Sequence, residues 1–329
     1  MSRLGRLLGI DVPLVQAPTA SIAGPELAGA VSAAGALGTM GLTWTEPGDA
    51  REAVLQVRRR TSNPFGVNFA LAFPPRSLES SLEAGAPVVL FSWGDPGRLI
   101  ERARERGALV GVQVGAGEGA ARAVDSGAHF VICQGVEAGG HVQSTTPLWQ
   151  LLEEVLERVG ARVPVVAAGG LADADQAAEA VRRGADGVML GTRFVATVES
   201  GAHALYKESL ARARASDARL TICFDGGWPH APHRVLRNAT LACWEAAGCP
   251  PPGARPGEGE TVGLTASGEA IFRYEDTAPR EGMSGAVEQM ALYAGTGVGR
   301  IQGVRPAAEI VLEIGKVLGP ALAERKEQS

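Results

Sequence analysis

A glycine-rich segment that ends in a histidine is the first part of the sequence whose residue types suggest chemistry. It runs from Gln134 to His141 as Gln-Gly-Val-Glu-Ala-Gly-Gly-His and follows an apolar run. If that run is a barrel strand, the glycines place the ring of His141 at the open end of the strand and not inside a wall. The pKa of an ordinary histidine lies near neutrality, so His141 could take a proton from a carbon acid or hydrogen-bond a developing anion. A loop histidine without a catalytic role is the alternative.

Glycines also close two later apolar runs. One run ends with Gly169 and Gly170, and the next ends with Gly191 and Thr192. Glycine allows backbone N–H groups to approach a phosphate, and a helix that starts at the same point adds partial positive charge. Thr192 adds a hydroxyl donor. Either stretch alone could be a tight turn between a strand and a helix, but the two together favour a phosphate-bearing ligand.

The remaining histidines and the cysteines give weaker signals. His203 falls on a predicted surface helix, and His230 and His233 flank Pro232 in a predicted loop. No pair of histidines has the spacing of metal ligands with a carboxylate nearby, so we predict no metal site. The four cysteines show no C-x-x-C spacing and are interpreted as free thiols in a reducing compartment. We therefore expect a cytoplasmic protein.

The elements that must position these residues repeat one pattern through the first 195 residues: an apolar run, a turn and an alanine-rich helical stretch. Short runs without apolar–polar alternation, such as the one that begins at Val88, are typical of strands covered on both faces. Eight strand–helix units match the count of a closed (β/α)8 TIM barrel. The eight runs are Leu14–Pro18, Leu37–Gly41, Phe65–Leu71, Val88–Trp93, Leu109–Val114, Phe130–Gly135, Pro164–Gly170 and Gly187–Phe194.

An open, doubly wound parallel sheet is the competing architecture. A dinucleotide-binding sheet of that type carries G-x-G-x-x-G after its first strand. Here Pro18-Thr19-Ala20-Ser21 follows the first strand, and that fingerprint is missing. The sequence therefore favours an α/β fold of the (β/α)8 class, in which the phosphate pocket lies on the loops after strands seven and eight. Those are the loops that carry the glycines described above.

The repeating pattern stops after Phe194. We predict a helix over residues 199–215, irregular chain over 216–290 and a final helix from Pro306 to Leu318. The predicted organisation is a barrel over residues 1–215, an irregular and helical subdomain on the substrate side over 216–300, and a C-terminal helix over 301–329 that packs on the barrel. The subdomain should form a cap beside the barrel mouth.

Composition excludes several classes of partner. The chain has 329 residues and a net charge of −5. This negative charge gives no indication of binding to nucleic acid or to an anionic membrane. No apolar run approaches the roughly 18–20 residues of a membrane span. The N-terminal stretch from Met1 to Leu8 lacks the apolar core and cleavage site of a signal peptide. The oligomeric state stays open, with a homodimer among the options.

Several motifs spread along the chain point to one family. The opening from Pro18 to Gly41 and the late segments around Tyr293 and Pro306 contribute to this pattern. The other motifs are Gly66–Val67–Asn68, Glu137–Ala138–Gly139–Gly140–His141, Ala168–Gly169–Gly170 and Gly191–Thr192–Arg193–Phe194. With them the chain resembles the nitronate monooxygenases, formerly called 2-nitropropane dioxygenases, over nearly its whole length. The histidine motif combined with Gly-Thr-Arg-Phe is specific, whereas Gly-Val-Asn alone would be weak.

The resemblance implies a TIM barrel that holds FMN non-covalently. It implies oxidation of alkyl nitronates, or of nitroalkanes, by O2 to a carbonyl compound and nitrite, with His141 as the catalytic base. FMN would supply the electron transfer, and the protein would orient the cofactor and the substrate and provide their electrostatic environment. By matching position, the residues expected to contact or line the flavin are Ala17, Pro18, Thr19, Asn68, Gln113, Gln134, Gly139, Gly140, Gly169, Gly170, Gly191 and Thr192.

Three departures from the family pattern bear on the substrate. Thr19 stands where many members have methionine, and Gln113 stands where some have lysine. The segment over residues 224–234 replaces a shorter family segment. We expect this insertion to overhang the flavin, so that Trp228 and one of the histidines that follow it reshape the pocket. A plain surface loop is the alternative.

Two other functions stay open at this point. One is an NAD(P)H-dependent FMN reductase on the same scaffold, acting on a quinone or on enoyl-acyl carrier protein. Because related enoyl reductases carry a similar histidine motif, His141 does not separate this function from nitronate oxidation. The other is a barrel that binds FMN or another phosphate without turnover. Anaerobic mixing with a nitronate or with NAD(P)H would distinguish the two enzymes.

Overall fold

The structure is a computed structural model that describes residues 2–328. Eight parallel strands form its centre: β1 (Leu14–Gln16), β2 (Gly38–Gly41), β3 (Phe65–Ala70), β4 (Val88–Ser92), β5 (Leu109–Val114), β6 (Phe130–Gln134), β8 (Val165–Ala168) and β9 (Gly187–Leu190). The short strand β7 (Gly140–His141) lies outside this sheet. Neighbouring strands follow the order β1–β9–β8–β6–β5–β4–β3–β2, and a parallel bridge between Val15 and Leu37 closes the ring. Each predicted apolar run contains one of the eight strands, which confirms the (β/α)8 barrel.

Helices cover the outside of the barrel and match the predicted alternation. They are α2 (Pro25–Ala33), α3 (Pro47–Arg60), α4 (Leu78–Glu83), α5 (Arg98–Glu105), α6 (Gly117–Asp125), α7 (Leu148–Val159) and α8 (Ala174–Arg182). Apolar residues three and four apart give each helix one buried face; on α7 these include Leu148, Leu151 and Val155. Asp173 caps the N-terminus of helix α8, and its carboxylate accepts a hydrogen bond from the Gln176 N–H at 2.9 Å. The sequence signals for these helices were local, so the helices could be found without the fold.

A short helix that the sequence did not predict closes the bottom of the barrel. Helix α1 (Arg3–Leu8) starts at Ser2, whose hydroxyl accepts a hydrogen bond from the Gly5 N–H. Its buried side chains Leu4 and Leu8 join the apolar residues inside the barrel. Six residues carry too little periodicity to be recognised from sequence, and packing inside the barrel stabilises this helix.

The eighth strand is not followed directly by a long outer helix. After β9 the chain forms only the four-residue helix α9 (Thr192–Val195) and then leaves the barrel. It returns with the long helix α12 (Ala307–Gln328), which packs against α8 and α2 and buries Ile310, Val311 and Ile314 in the main core. Helix α12 therefore occupies the place of the eighth outer helix. No helix among residues 2–328 is long and apolar enough to cross a membrane.

The chain between α9 and α12 forms the cap, which is more ordered than predicted. Helix α10 (Ala204–Arg212) is shorter than the predicted helix over residues 199–215. The stretch expected to be irregular contains β10 (Ala218–Thr221), β11 (His233–Leu236), α11 (Ala239–Ala246), β12 (Thr261–Leu264), β13 (Ala270–Phe272) and β14 (Ser284–Gly285). These strands form two small sheets, in the orders β10–β11–β7 and β13–β12–β14. Strand β11 pairs with β7 across a long stretch of sequence, which no local pattern records. Strands β12 and β13 are neighbours in sequence, but they are short and half or more of their residues are exposed, so they carry little apolar signal. The division of the chain into three units stays a prediction.

Candidate active site

A cavity of about 630 Å³ opens at the end of the barrel where the parallel strands finish. The loops after these strands line it on one side, and residues of the cap line it on the other. All thirteen residues singled out from the sequence lie on its walls: Ala17, Pro18, Thr19, Asn68, Gln113, Gln134, Gly139, Gly140, His141, Gly169, Gly170, Gly191 and Thr192. The structure therefore brings together residues from six separate segments. Which of them touch a cofactor stays a prediction.

The two glycine-bearing loops differ in their backbone. Gly169 and Gly170 have φ of 106° and 71°, a region that favours glycine. Gly191 has an ordinary φ of −106°, and a Cβ there would meet only Ala17 Cβ at 3.5 Å and Thr19 Cγ2 at 3.8 Å. The protein alone therefore requires glycine in the loop after β8 but tolerates a small side chain at Gly191.

Hydrogen-bond donors are left free at this end of the cavity. Within residues 2–328, the backbone N–H groups of Gly170, Gly191 and Thr192 make no hydrogen bond to another part of the protein. The Thr192 hydroxyl accepts a hydrogen bond from the Gly295 N–H at 3.0 Å, so its own proton remains available. The Thr19 hydroxyl is buried and has no partner in the described chain. Buried polar groups in proteins are nearly always paired, so these groups suit a polar ligand with several acceptors.

Two glutamines hold the segment that carries the histidine. The Gln134 amide donates to the His141 carbonyl at 3.4 Å, and its oxygen accepts from the Gln143 N–H at 3.0 Å. Gln113 donates to the Gln143 side chain at 2.8 Å. The amide of Asn68 donates instead to the Leu90 carbonyl at 3.2 Å. Both glutamines line the cavity, but their hydrogen bonds orient the protein around His141.

Aromatic rings surround the imidazole of His141. Trp228 stacks on it with ring centroids 4.3 Å apart, while the rings of His233, Tyr293 and Trp93 lie at 5.4, 5.7 and 6.1 Å. Its Nε2 is buried and has no hydrogen-bond partner in the described chain. Burial, with a smaller contribution from His233, lowers the pKa of His141 to about 3. The predicted pKa near neutrality is therefore wrong for this structure. The ring is neutral at pH 7 and can accept a proton or a hydrogen bond.

The second buried histidine, His233, has a structural task. The prediction placed it in a loop, but it lies in β11 opposite His141 and is fully buried. Its Nε2 accepts from the Phe224 N–H at 3.1 Å, so Nδ1 carries the proton and donates to the Ala231 carbonyl at 2.9 Å. His233 thereby joins the two ends of residues 225–231, which we call the strap. Burial also lowers the pKa of His233, which keeps the ring neutral.

An ion pair fixes the start of the strap. Both oxygens of Asp225 accept hydrogen bonds from Arg255, at 2.6 and 2.7 Å, and both side chains are largely buried. Trp228 is half-buried in the barrel mouth, whereas its neighbours Gly227 and Pro229 are exposed. The insertion therefore reaches the cavity through Trp228, and its overhang of a flavin stays a prediction. His230 is exposed and lies outside it.

Sequence reasoning assigned no role to several other residues on the cavity wall. Trp44, Phe73 and Trp93 lie in or next to the loops after β2, β3 and β4, where barrel enzymes place functional residues, and that rule could have found them. Asp276 comes from the cap; burial raises the pKa of its carboxyl group, and no sequence signal marked it. Within the described residues no cluster of three or more histidine, cysteine, aspartate or glutamate side chains could hold a metal ion.

Comparison with known proteins identifies similar chains. The family model for nitronate monooxygenase matches residues 1–77 and 75–316. A nitronate monooxygenase of Pseudomonas aeruginosa is 32% identical over 297 residues, covering 76% of this chain and 83% of the relative. A (3aS,4S,5R,7aS)-5-hydroxy-7a-methyl-1-oxo-octahydro-1H-indene-4-carboxyl-CoA dehydrogenase of Mycobacterium tuberculosis is 35% identical over 238 residues, covering 71% of this chain and 66% of the relative.

Two solved structures resemble the whole chain. FabK from Thermotoga maritima superimposes with a TM-score of 0.81 at 30% identity, covering 100% of this chain and 99% of that one. Nitroalkane oxidase from Streptomyces ansochromogenes has a TM-score of 0.78 at 31% identity and covers 99% of both chains. The similarity thus includes the cap as well as the barrel.

Proposed function

The chain belongs to the nitronate monooxygenase family, and we propose that it uses FMN and O2 to oxidise alkyl nitronates to a carbonyl compound and nitrite. Membership makes it an oxidoreductase of the nitronate monooxygenase type; FMN, O2 and the roles of individual residues are the proposal. One observation carries it. A single cavity at the barrel mouth holds His141 together with the glycines of both loops expected to bind phosphate.

The residues present fit a flavin mononucleotide. Free backbone N–H groups at Gly170, Gly191 and Thr192 suit a terminal phosphate, and backbone can approach closely where no side chain intervenes. The buried hydroxyl of Thr19 offers a further donor beside Ala17 and Pro18. When bound, FMN supplies the electron transfer between nitronate and oxygen.

The chain's own contribution is to hold the substrate and move a proton. His141 is neutral at pH 7 and its Nε2 has no partner among the described residues, so it can accept the proton from the α-carbon of a neutral nitroalkane, which becomes a nitronate. Burial alone opposes this protonation, and the negative charge that develops on the adjacent nitronate offsets that effect. Gln134 holds the backbone of His141 and Gln143 in place, and Gln113 holds the side chain of Gln143. The rings of Trp93, Trp228 and Tyr293 keep water away from the imidazole.

An NAD(P)H-dependent FMN reductase acting on a quinone or an enoyl thioester is the second candidate. The observation that favours it is the similarity to FabK over the whole chain, with a TM-score of 0.81. The mycobacterial relative named for a CoA thioester adds to it. Because both candidates use one cofactor in one cavity, the geometry of His141 does not separate them.

Cofactor release and anaerobic reduction test the proposal. Purified protein should be yellow and should release FMN, not FAD, on denaturation. Without oxygen, excess alkyl nitronate should bleach the flavin absorbance, and admitting O2 should then produce nitrite. NADH and NADPH should leave the absorbance unchanged. Rapid bleaching by either nucleotide would favour the reductase, and colourless protein that fails to bind added FMN would remove both candidates.

We also infer a cytoplasmic location, on the basis of four free cysteines. A homodimer remains one option for the assembly. Light scattering coupled to size-exclusion chromatography measures the mass in solution and would decide between a monomer of 33.9 kDa and a dimer.

A further inference from the structure

Four aromatic side chains line one side of the cavity. Trp44, Phe73 and Trp93 follow three successive barrel strands, and Trp228 comes from the strap. Trp228 lies at their centre, with ring centroids 4.7 Å from Trp93, 5.0 Å from Phe73 and 6.4 Å from Trp44. We call these four residues the aromatic wall. Four separate segments therefore contribute one ring each to the same surface.

Two features of the aromatic wall are unfavourable for the protein alone. Trp44 leaves 56% of its surface exposed. Trp93 has φ of 59°, a left-handed backbone conformation that costs free energy for any residue other than glycine. Strained backbone of this kind gathers at sites that bind ligands. The aromatic wall is therefore better explained by an occupant of the cavity than by packing of the core.

The aromatic wall also offers hydrogen-bond donors. In the part of the chain that the structure describes, the indole N–H groups of Trp44, Trp93 and Trp228 donate no hydrogen bond to the protein, whereas Trp244 donates to the Pro250 carbonyl at 2.9 Å. An occupant can therefore pack a flat apolar group on the rings and direct oxygen atoms at the N–H groups.

The strap holds Trp228 in position before any ligand arrives. His233 joins both ends of the strap, and Arg255 holds Asp225 through two hydrogen bonds. A side chain that is already ordered loses little entropy when a ligand binds, so its contacts contribute more to affinity. Trp228 thus belongs to a preorganised surface.

We propose that the aromatic wall selects nitronates that carry an aromatic ring on or next to the reacting carbon. The inference rests on the proposed function and names its substrate class. The rings of Trp228 and His141 lie 4.3 Å apart, so a ring attached to the reacting carbon reaches the aromatic wall while that carbon stays near His141. The aromatic ring packs on Trp228 and its neighbours. A short alkyl chain leaves this surface uncovered.

The test compares, on the complete FMN enzyme, two nitronates that each carry a six-membered carbon ring. Phenylnitromethane carries a flat aromatic ring, and cyclohexylnitromethane carries a saturated ring with the same number of carbon atoms. The kcat/KM ratio of their nitronates is measured in wild type and in Trp228→Ala, Trp228→Phe and Trp149→Phe, so that the intrinsic reactivity of each nitronate cancels. Trp149 lies on α7, outside the cavity, and serves as the control.

In Trp228→Ala the kcat/KM ratio should fall roughly tenfold, which corresponds to the upper end of the free energy that one pair of aromatic rings contributes. In Trp228→Phe it should fall by less than about threefold. Trp149→Phe should leave it unchanged. Asp225→Asn, which weakens the strap but keeps Trp228, should lower it by an intermediate factor. If Trp228→Ala lowers kcat/KM by the same factor for both nitronates, the ratio stays unchanged. That outcome overturns the inference while the proposed function stands.

A binding measurement makes the inference independent of turnover. Nitrobenzene and 2-methyl-2-nitropropane lack a proton on the carbon that bears the nitro group, so neither forms a nitronate. Calorimetric titration should show that Trp228→Ala raises the Kd of nitrobenzene roughly tenfold and leaves that of 2-methyl-2-nitropropane unchanged. If wild type oxidises no nitronate, the proposed function fails, and this pair of constants still decides whether the aromatic wall prefers aromatic nitro compounds. An unchanged Kd for nitrobenzene overturns it.

Discussion

The two ends of the barrel are built from different kinds of residue. At the bottom, Leu4 and Leu8 of α1 pack among apolar side chains inside the barrel, and the buried Asp186 lies between Arg3 and Arg325. At the mouth, Ala20 and Trp93 have positive φ, Trp44 is largely exposed, and Thr19 Oγ1 and His141 Nε2 lack partners within the described chain. Polar groups are satisfied at one end and left free at the other.

Residues at the bottom of the barrel thus serve stability, and residues at its mouth serve function. In (β/α)8 barrels the loops at the carboxyl ends of the strands carry the active site, whereas residues at the opposite end maintain the fold. Changes at the mouth should therefore alter chemistry or ligand binding with little loss of stability, and changes at the bottom should do the reverse. Variants at both ends of the barrel test this separation, from the largest expected effect to the smallest.

The largest effect is expected at His141. If it is the general base, His141→Ala should lower turnover of neutral nitroalkanes by on the order of 10²–10⁴, because a positioned base contributes that much. Turnover of preformed nitronates should fall much less, since their proton has already left. Steady-state kinetics on both forms measures the difference, after wild type is shown to accept the neutral form. Equal losses on both would assign His141 to orienting the ligand.

The lowered pKa of His141 changes the expected pH profile. Because burial brings the pKa to about 3, the imidazole is already unprotonated throughout the neutral range. The rate with a neutral nitroalkane should therefore show no rise between about pH 5 and 8 from this group. A rise centred near pH 6.5 would show that bound ligand restores an ordinary histidine pKa.

The next effect is expected at the phosphate end of the cavity. Gly191→Asp places a carboxylate against the expected phosphate, and like-charge repulsion should weaken FMN binding by on the order of 10²–10³. The fold should persist because the space beside Gly191 is open to small groups. Equilibrium dialysis of FMN measures the change. Gly48→Asp, at an exposed position with nothing within 4 Å, is the matched control. Unchanged FMN affinity in Gly191→Asp would mean that the phosphate lies elsewhere.

The third variant acts at the bottom. Leu4→Ala removes a fully buried side chain and should lower the free energy of unfolding by about 2–5 kcal/mol through lost burial and a cavity. FMN affinity and kcat/KM should stay the same at temperatures well below the transition. Urea denaturation measures the stability. Trp44→Ala at the mouth should show the opposite pattern, and a large loss of activity in Leu4→Ala would contradict the separation.

The smallest effect concerns stability in acid. The unfolded His141 binds a proton below about pH 6.5, whereas the folded ring resists it down to about pH 3, so stability falls as the pH drops through this window. His141→Asn should reduce this loss by at most about 2 kcal/mol at pH 5. Thermal unfolding at pH 7 and pH 5 measures it. His230→Asn, on the exposed part of the strap, should leave the loss unchanged.

Much of the barrel and its mouth could be predicted from sequence because the signals are local. Continuous apolar runs, helix starts such as Asp173 and glycines at Gly169 and Gly170 each report on their own neighbourhood. The position of His141 followed from the strand before it. Its pKa did not, because Trp228 and Tyr293, which bury the ring, are far away in sequence.

Contacts between residues far apart in sequence account for most of the missed features at the site. His233 lies opposite His141 in a strand pair, yet 92 residues separate them in sequence. Trp44 and Trp228 meet although one belongs to the barrel and the other to the strap. No local pattern records such contacts. Helix α1 was missed because it is short and owes its stability to packing.

The position of α12 has a consequence for synthesis. This helix supplies the eighth outer helix of the barrel, but the ribosome makes it only after the cap, more than a hundred residues after β9. At about 5–20 residues per second, the nascent barrel waits roughly 5–20 s with the apolar sides of α8 and α2 uncovered. Exposed surface of that kind invites aggregation. The yield of folded protein should therefore improve when translation is fast relative to encounters between chains. It should also improve when a chaperone covers the apolar sides of α8 and α2 until α12 is made.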